Sequence, residues 1–217
     1  MIESRSSWRN SSRGLIKQSV VIFTVLLAMS APNAFALTKS NQSSDNINTF
    51  KLSLGSAELN YDYFRPVDEP SALTFSYIRK VSELESLSTN LAVSYTVLAD
   101  STTFYINDGS TVYYGDVNLT GYKLALGGQL EGNIGNIVAP FIGAGVSILG
   151  IEYEVGSAAD SDSIFGYYLE LGSNFYITEG FGLSIDYNKF SGSDLLIAGI
   201  TGESDHDQVS FGLLWRF

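Results

Sequence analysis

The chain has 217 residues, no Cys, 13 Tyr, 13 Phe, 21 Gly, 4 Pro and a formal charge of −11. One domain fits that length once any targeting segment is set aside. The lack of Cys excludes a disulfide framework, a thiolate metal site and a thiol nucleophile, and the acidity excludes attraction to nucleic acid.

Residues 1–36 read as a cleaved signal peptide. Arg5, Arg9, Arg13 and Lys17 form a basic start, an apolar run spans Val20 to Ala28, and Ala34-Phe35-Ala36 is a small-x-small cleavage pattern. The run is too short to cross a membrane as a helix, which needs about 20 apolar residues. Its removal takes away four basic residues and only one acid, Glu3, so the remainder is more acidic still. Residues 37–48 are polar and aperiodic and read as a flexible tail. Residues 49–217 are read as the folded domain, in which few Pro and many aromatics suit a backbone mostly paired in strands.

From Thr49 onward, period-two alternation dominates. Phe50, Leu52 and Leu54 share one phase, while Leu59, Tyr61 and Tyr63 share the other. A bulge near Gly55–Glu58 would reconcile them, since one extra residue flips the phase. Leu73, Phe75 and Tyr77 form the second strand, and Leu91, Val93, Tyr95 and Val97 the third. The fourth carries Tyr122, Leu124 and Leu126, with a similar flip around Gly121. Ile142, Ala144, Val146 and Ile148 mark the fifth. Phe165 to Ile177 mark the sixth, and Phe181, Leu183, Ile185 and Tyr187 the seventh. Val209, Phe211, Leu213, Trp215 and Phe217 mark the last. Val81–Ser86 could be a helical turn but is as easily a connection.

The opposite face of these strands is small or polar, with Lys123, Glu170, Asp186 and Arg216 upon it. A water-soluble sandwich would bury its apolar face instead. Large side chains outward and polar ones inward is the arrangement of a barrel in lipid, where closure removes every unpaired edge. Aromatics near strand ends (Tyr61, Tyr63, Phe64, Tyr77, Tyr153, Phe181, Phe190, Trp215 and Phe217) suit interfacial girdles. The predicted fold is all-β: an eight-stranded antiparallel up-and-down transmembrane barrel. Short turns are expected at Val81–Ser86, Glu131–Asn136 and Thr178–Gly180. Longer outer loops are expected at Arg65–Ser71, Asp100–Ser110, Val155–Ser163 and Asp194–Asp207. The outer set carries Asp68, Glu69, Asp100, Asp108, Asp160, Asp162, Asp194, Glu203, Asp205 and Asp207.

Together the leader, the eight amphipathic strands and a final strand ending in Phe217 resemble small outer-membrane β-barrel proteins of Gram-negative bacteria. These are the OmpA/OmpX-type and opacity-protein-like "porin family" barrels. Pro140-Phe-Ile-Gly-Ala-Gly-Val146 also looks like a strand common in that group. The resemblance implies a bacterial outer-membrane location after export through the periplasm. It also implies that Phe211, Leu213, Trp215 and Phe217 are the signal read by the barrel-assembly machinery. It is weak for function, because such a fold hosts several.

Among candidate chemical groups, His206 in Glu203-Ser-Asp-His-Asp207 is the one His; it is expected on a solvated acidic loop tip rather than as a general base. Asp160-Ser-Asp162 and Asp205-His-Asp207 offer oxygens for weak divalent-cation binding, but lack a defined metal spacing. Lys123, Glu170, Asp186 and Arg216 are expected to form a charged network plugging the barrel, with a narrow ion path as the alternative. No phosphate loop or catalytic triad is found, and no cofactor or catalytic residue is expected. The expected function is a non-enzymatic outer-membrane surface barrel whose acidic extracellular loops have a structural or interaction role, in adhesion or envelope contact. Its expected partners are outer-membrane lipid, lipopolysaccharide and the barrel-assembly machinery. A small passive channel and a lipid-modifying enzyme stand as alternatives. A monomer with no nucleic-acid partner is expected.

Overall fold

The computed structural model describes residues 47–59, 67–107, 112–134, 137–197, 200–202 and 204–217. The expected signal peptide, and the expected tail up to residue 46, lie outside the described residues, as do Tyr61, Tyr63, Phe64, Asp108 and Glu203. The strands are β1 Asn48–Leu59, β2 Ser71–Leu84, β3 Leu87–Asn107, β4 Val112–Gly132, β5 Val138–Val155, β6 Ala158–Tyr176, β7 Phe181–Gly192, β8 Leu195–Ile197, β9 Ile200–Gly202 and β10 His206–Arg216. Eight of them close an antiparallel barrel in the order β1-β10-β7-β6-β5-β4-β3-β2, and β8 pairs with β9 as a small separate hairpin.

The ladder that leaves β1 at Glu58 measures the stagger. It runs through Asp207, Lys189, Leu169, Ala144, Gly128, Leu91 and Arg79 and returns to β1 at Asn48. The displacement is ten residues over eight strands, about one and a quarter per strand. Such closure tilts strands by about 35–45° to the axis, with an interior just wide enough for side chains.

The apolar residues face outward. Leu54, Phe75, Ile142, Phe165, Leu171, Phe211 and Trp215 are among many large apolar side chains that lie exposed on the outer wall. On β10 the outward row runs from Val209 to Phe217. Eight steps at a rise of about 3.3 Å and a tilt of about 40° span roughly 20 Å along the axis. That is close to the apolar band of about 25 Å of an outer-membrane barrel.

Neither expected bulge is present. β1 pairs without interruption from Thr49↔Arg216 to Leu59↔His206, and β4 pairs without interruption with both neighbours. The phase flips because the environment inverts, not because the chain slips. On each strand the outward residues change from apolar to polar: Leu54 to Glu58, Leu73 to Ser71, Val97 to Ser101, Tyr122 to Thr120, Ile148 to Glu152, Phe165 to Ser163, Tyr187 to Lys189 and Val209 to Asp207. Inward residues near that level become apolar: Ala57, Leu59, Ala72, Leu98, Leu119, Leu149, Ile151, Ile164 and Phe190 are all buried. Allowing for the stagger, these changes fall at one height to within two or three residues. That height is the outer boundary of the apolar band. Below it lipid surrounds the wall, and above it water does, so the wall there folds like a soluble barrel.

Two aromatics expected in the girdles are therefore inside: Tyr153 and Phe190 belong to the apolar core at the outer mouth. Val67 from the β1–β2 connection and Leu195 and Ile197 from β8 close that core from above. The register does shift once, in β2 between Lys80 and Ser82. The rest of Val81–Ser86 continues the strand to a two-residue turn at Glu85-Ser86, where Glu85 takes φ 55°. Asp100–Ser110 and Val155–Ser163, expected as loops, are largely strand. The Thr, Phe, Tyr and Ile of 102–106 favour extended pairing, whereas the second segment, poor in such residues, is held extended by its ladder with β5 from Val155↔Ala158 to Gly150↔Ser163. β3 to β6 are neighbours in the barrel, so they rise past the boundary as a four-stranded blade on one side.

The boundary can be read with single cysteines in this Cys-free chain. A membrane-impermeant maleimide on intact cells should label Glu152→Cys and leave Ile148→Cys, four residues lower on the same face, unlabelled. Equal labelling would place the boundary elsewhere.

Candidate functional site

What an eight-stranded barrel can do depends on what fills it. Much of the inward face is glycine where large inward side chains need room. A Cβ on Gly145 would lie 2.7 Å from Tyr168 Cε1, and one on Gly166 would lie 2.6 Å from Phe190 Cζ. Tyr168 and Phe190 are themselves buried, so these aromatics fill the space the glycines leave.

At mid-height lies the charged centre. Lys51 on β1 donates to Glu170 Oε1 of β6 at 3.0 Å and to Asp186 Oδ1 of β7 at 2.9 Å. Its ammonium also sits 5.3 Å from the Phe141 ring centroid. Asp186 further accepts from the hydroxyls of Ser184 and Ser210. Lys123 on β4 donates to Asn188 Oδ1 at 2.9 Å and Gln208 Oε1 at 3.3 Å, and it meets His206 Nε2 at 3.2 Å. An ammonium has no lone pair, so Nε2 accepts in this contact and the ring proton sits on Nδ1. Gln208 passes the chain on to Thr74 at 3.1 Å, and Thr74 bonds Thr96 at 2.9 Å. Glu170 and Asp186 lie close enough to act electrostatically on Lys123 as well as Lys51. Two ammonium and two carboxylate groups thus share one buried, charge-balanced site.

Three of the four residues expected in a plug, Lys123, Glu170 and Asp186, meet in this centre. The fourth, Arg216, does not join it. Its Nη2 pairs with Glu131 Oε1 at 3.4 Å and its guanidinium lies 3.7 Å from the Tyr176 ring centroid. Glu131 also accepts from Asn174 at 2.9 Å and Tyr176 at 3.4 Å. This second cluster stands near the tight turns, at the end of the barrel where β10 finishes.

Sequence reading missed Lys51, although its signal was present: Phe50, Leu52 and Leu54 point outward, which turns Lys51 inward. It also misplaced His206. That residue opens β10 inside the barrel, fully buried, with its ring 5.0 Å from that of Phe190. It is not on a solvated loop tip. A strand alternates its side chains, so the neighbours of His206 diverge from it: Asp205 accepts from Ser191, and Asp207 pairs with Lys189 at 3.4 Å. Asp205-His-Asp207 therefore does not converge on a cation. The hydroxyls nearest in sequence bond elsewhere, Ser204 to the Ser193 carbonyl and Ser210 to Asp186.

Phe211, Leu213, Trp215 and Phe217 form one exposed outer row on the closing strand. Phe211, Leu213 and Trp215 pair across the seam with Leu54, Leu52 and Phe50. Phe217 stacks on Phe50 at 5.4 Å, and Phe50 contacts Tyr77 at the same separation. The row covers the join between first and last strands.

Removing one partner of a buried charge set costs about 3–5 kcal/mol. Lys51→Met should lower unfolding free energy in lipid vesicles by about that amount, measured by equilibrium denaturant titration. Adding Glu170→Gln to that background should recover part of the loss. A loss under about 1 kcal/mol for Lys51→Met would show that the site is not dry.

A family described as "Outer membrane protein beta-barrel domain" matches residues 21–217. No curated protein matches the chain. Among solved structures, the chain is similar to Neisserial surface protein A at 13% identity and a TM-score of 0.58, covering 78% of this chain and 97% of that one. It is similar to Ail, the attachment invasion locus protein of Yersinia pestis, in complex with the heparin analogue sucrose octasulfate. There the identity is 12% and the TM-score 0.54, with 79% of this chain and 99% of that one covered. At these identities the likeness is one of fold.

Proposed function

The chain belongs to the outer membrane protein beta-barrel family, which places it in the bacterial outer membrane, and from that premise we propose that it is a non-enzymatic, sealed surface barrel making its contacts through acidic outer segments. One observation carries the reading: among the described residues, side-chain clusters stand inside the barrel at its outer mouth, its middle and its turn end. Apolar side chains close the outer mouth, the Lys51–Lys123–Glu170–Asp186 centre fills the middle, and Arg216, Glu131 and Tyr176 stand near the turns. That filling speaks against a passive channel. The inward, buried place of His206 speaks against a lipid-modifying enzyme, since a general base must reach the bond it serves.

Acidic groups crowd the end beyond the apolar band. Among the described residues, Glu58, Asp68, Glu69, Asp100, Glu152, Glu154, Asp160, Asp194 and Asp207 lie there, against Lys189. Ail was solved with a sulfated heparin analogue. A rim of this sign would repel such a ligand, so the partner here is neutral or cationic. Lipid and lipopolysaccharide surround the wall, and the outward row ending in Phe217 is what the assembly machinery engages. The barrel acts as a monomer, and its charge disfavours nucleic acid.

Purified protein in planar bilayers should give no discrete conductance steps. It should pass unretained through immobilised heparin at low salt, and cells displaying it should gain adhesion to host-cell monolayers over non-displaying cells. Stepwise conductance would favour the channel, and unchanged adhesion would remove the contact role.

A further inference from the structure

The blade has two open sides. β3 pairs with β2 only as far as Ser71↔Ala99, and β6 pairs with β7 only from Gly166↔Gly192. Beyond those points, among the described residues, Asp100–Asn107 and Ala158–Phe165 have a strand partner on one side only. An unpaired strand edge is a template for another strand, and an outer-membrane protein has copies of itself as neighbours.

Three of the amides on these open sides are engaged by side chains. Ser101 N–H donates to Asp100 Oδ1 at 2.7 Å, Ser161 N–H to Asp160 Oδ1 at 2.9 Å, and Ser163 N–H to Asp162 Oδ1 at 2.7 Å. In a strand, backbone groups turn to alternate sides. The Phe165 carbonyl accepts from Ser193 on the β7 side, so the amides of Ser163 and Ser161 turn the same way, onto the open edge. On the other side the Pro70 carbonyl accepts from Ala57 of β1, so Ser71 turns to β3, and its partner Ala99 and then Ser101 turn to the β2 side, onto the open edge. The same Asp-Ser step therefore occurs three times, once on the β3 edge and twice on the β6 edge. At the lower β6 step the carboxylate makes a second bond, in which Asp162 Oδ2 accepts from Leu196 N–H at 2.8 Å and holds β8 beside β6.

We infer that the Asp-Ser steps are edge caps that keep the blade from pairing, strand to strand, with the blade of a second copy. An arriving strand needs free N–H donors in register. At each cap the donor is already engaged by the preceding carboxylate, and the arriving carbonyl meets negative charge instead. The blade then offers its faces, and not its edges, to other molecules. This goes beyond the contact role proposed above and stands whether or not that role holds. It gives several of the outer acids a purpose within the molecule itself.

The test compares two double variants with the parent protein. Asp100→Ala/Asp160→Ala removes one cap from each edge. Asp100→Asn/Asp160→Asn keeps an oxygen that can accept the same N–H but removes the charge. Asp162 stays intact because it also holds β8. Heat-modifiable mobility on gels shows that each barrel has folded, and light scattering in detergent with cross-linking in outer-membrane preparations gives the oligomeric state. The Ala pair should shift from monomer to dimer as the major species, and the Asn pair should remain monomeric. A monomeric Ala pair overturns the inference, and so does an Asn pair that dimerises equally, which would assign the effect to bulk charge. Amide exchange on the parent protein needs no variant. Ser101 and Ser161 should exchange several-fold more slowly than Thr103 and Ala159, which sit on the same edges and follow no Asp. Equal rates also overturn it.

Discussion

Closure of β1 on β10 is the constraint from which the other features follow. In hydrocarbon each unpaired N–H or C=O costs several kcal/mol, so the sheet can have no edge there. The ladder from Thr49↔Arg216 to Leu59↔His206 removes the edge across the whole band. Eight strands with a ten-residue stagger then fix a small radius. A small radius leaves space for side chains alone, and the closeness of Gly145 to Tyr168 and of Gly166 to Phe190 shows how tightly that space is shared.

Charge can occupy such a space because it is balanced and bonded. Lys51 answers Glu170 and Asp186 from across the closing strand, since β10 stands between β1 and β7. The same contacts guard the register. A one-residue slip of β1 would turn Lys51 toward lipid and Leu52 into the polar centre. The aromatic row on β10 protects the same join from the outside, where Phe217 lies over Phe50.

Much of this was legible in the sequence because lipid and interior impose opposite chemistry on alternate residues. The eight strands, their order and the inward place of Lys123, Glu170 and Asp186 could be read that way. The limit of period two lay at Leu59 and Leu119. There an inverted environment produces the same phase flip as an inserted residue, and only the unbroken ladder separates the two. His206 was misread because it follows a polar, acidic stretch, while its burial comes from Phe190 and Lys123, which are remote in sequence. The blade was misread as loops because its Gly, Ser and Asp residues signal turns, whereas pairing between long neighbours keeps them extended. Arg216 was placed on the right face, but height along the axis separates it from the central charges, and alternation carries no information about height.

The blade gives the molecule a mechanical direction. Four neighbouring strands continue from the outer end of the blade into the wall, so a pull at the tip runs parallel to their length. The backbone bonds between β3, β4, β5 and β6 then bear the load together, in shear, instead of opening one after another like a zip. The pull enters the wall on one side of the axis, so it also acts to tip the barrel in the bilayer. The resistance to tipping comes from the hydrophobic band, whose exposed side chains on β10, β7 and β2 on the far side would have to leave lipid.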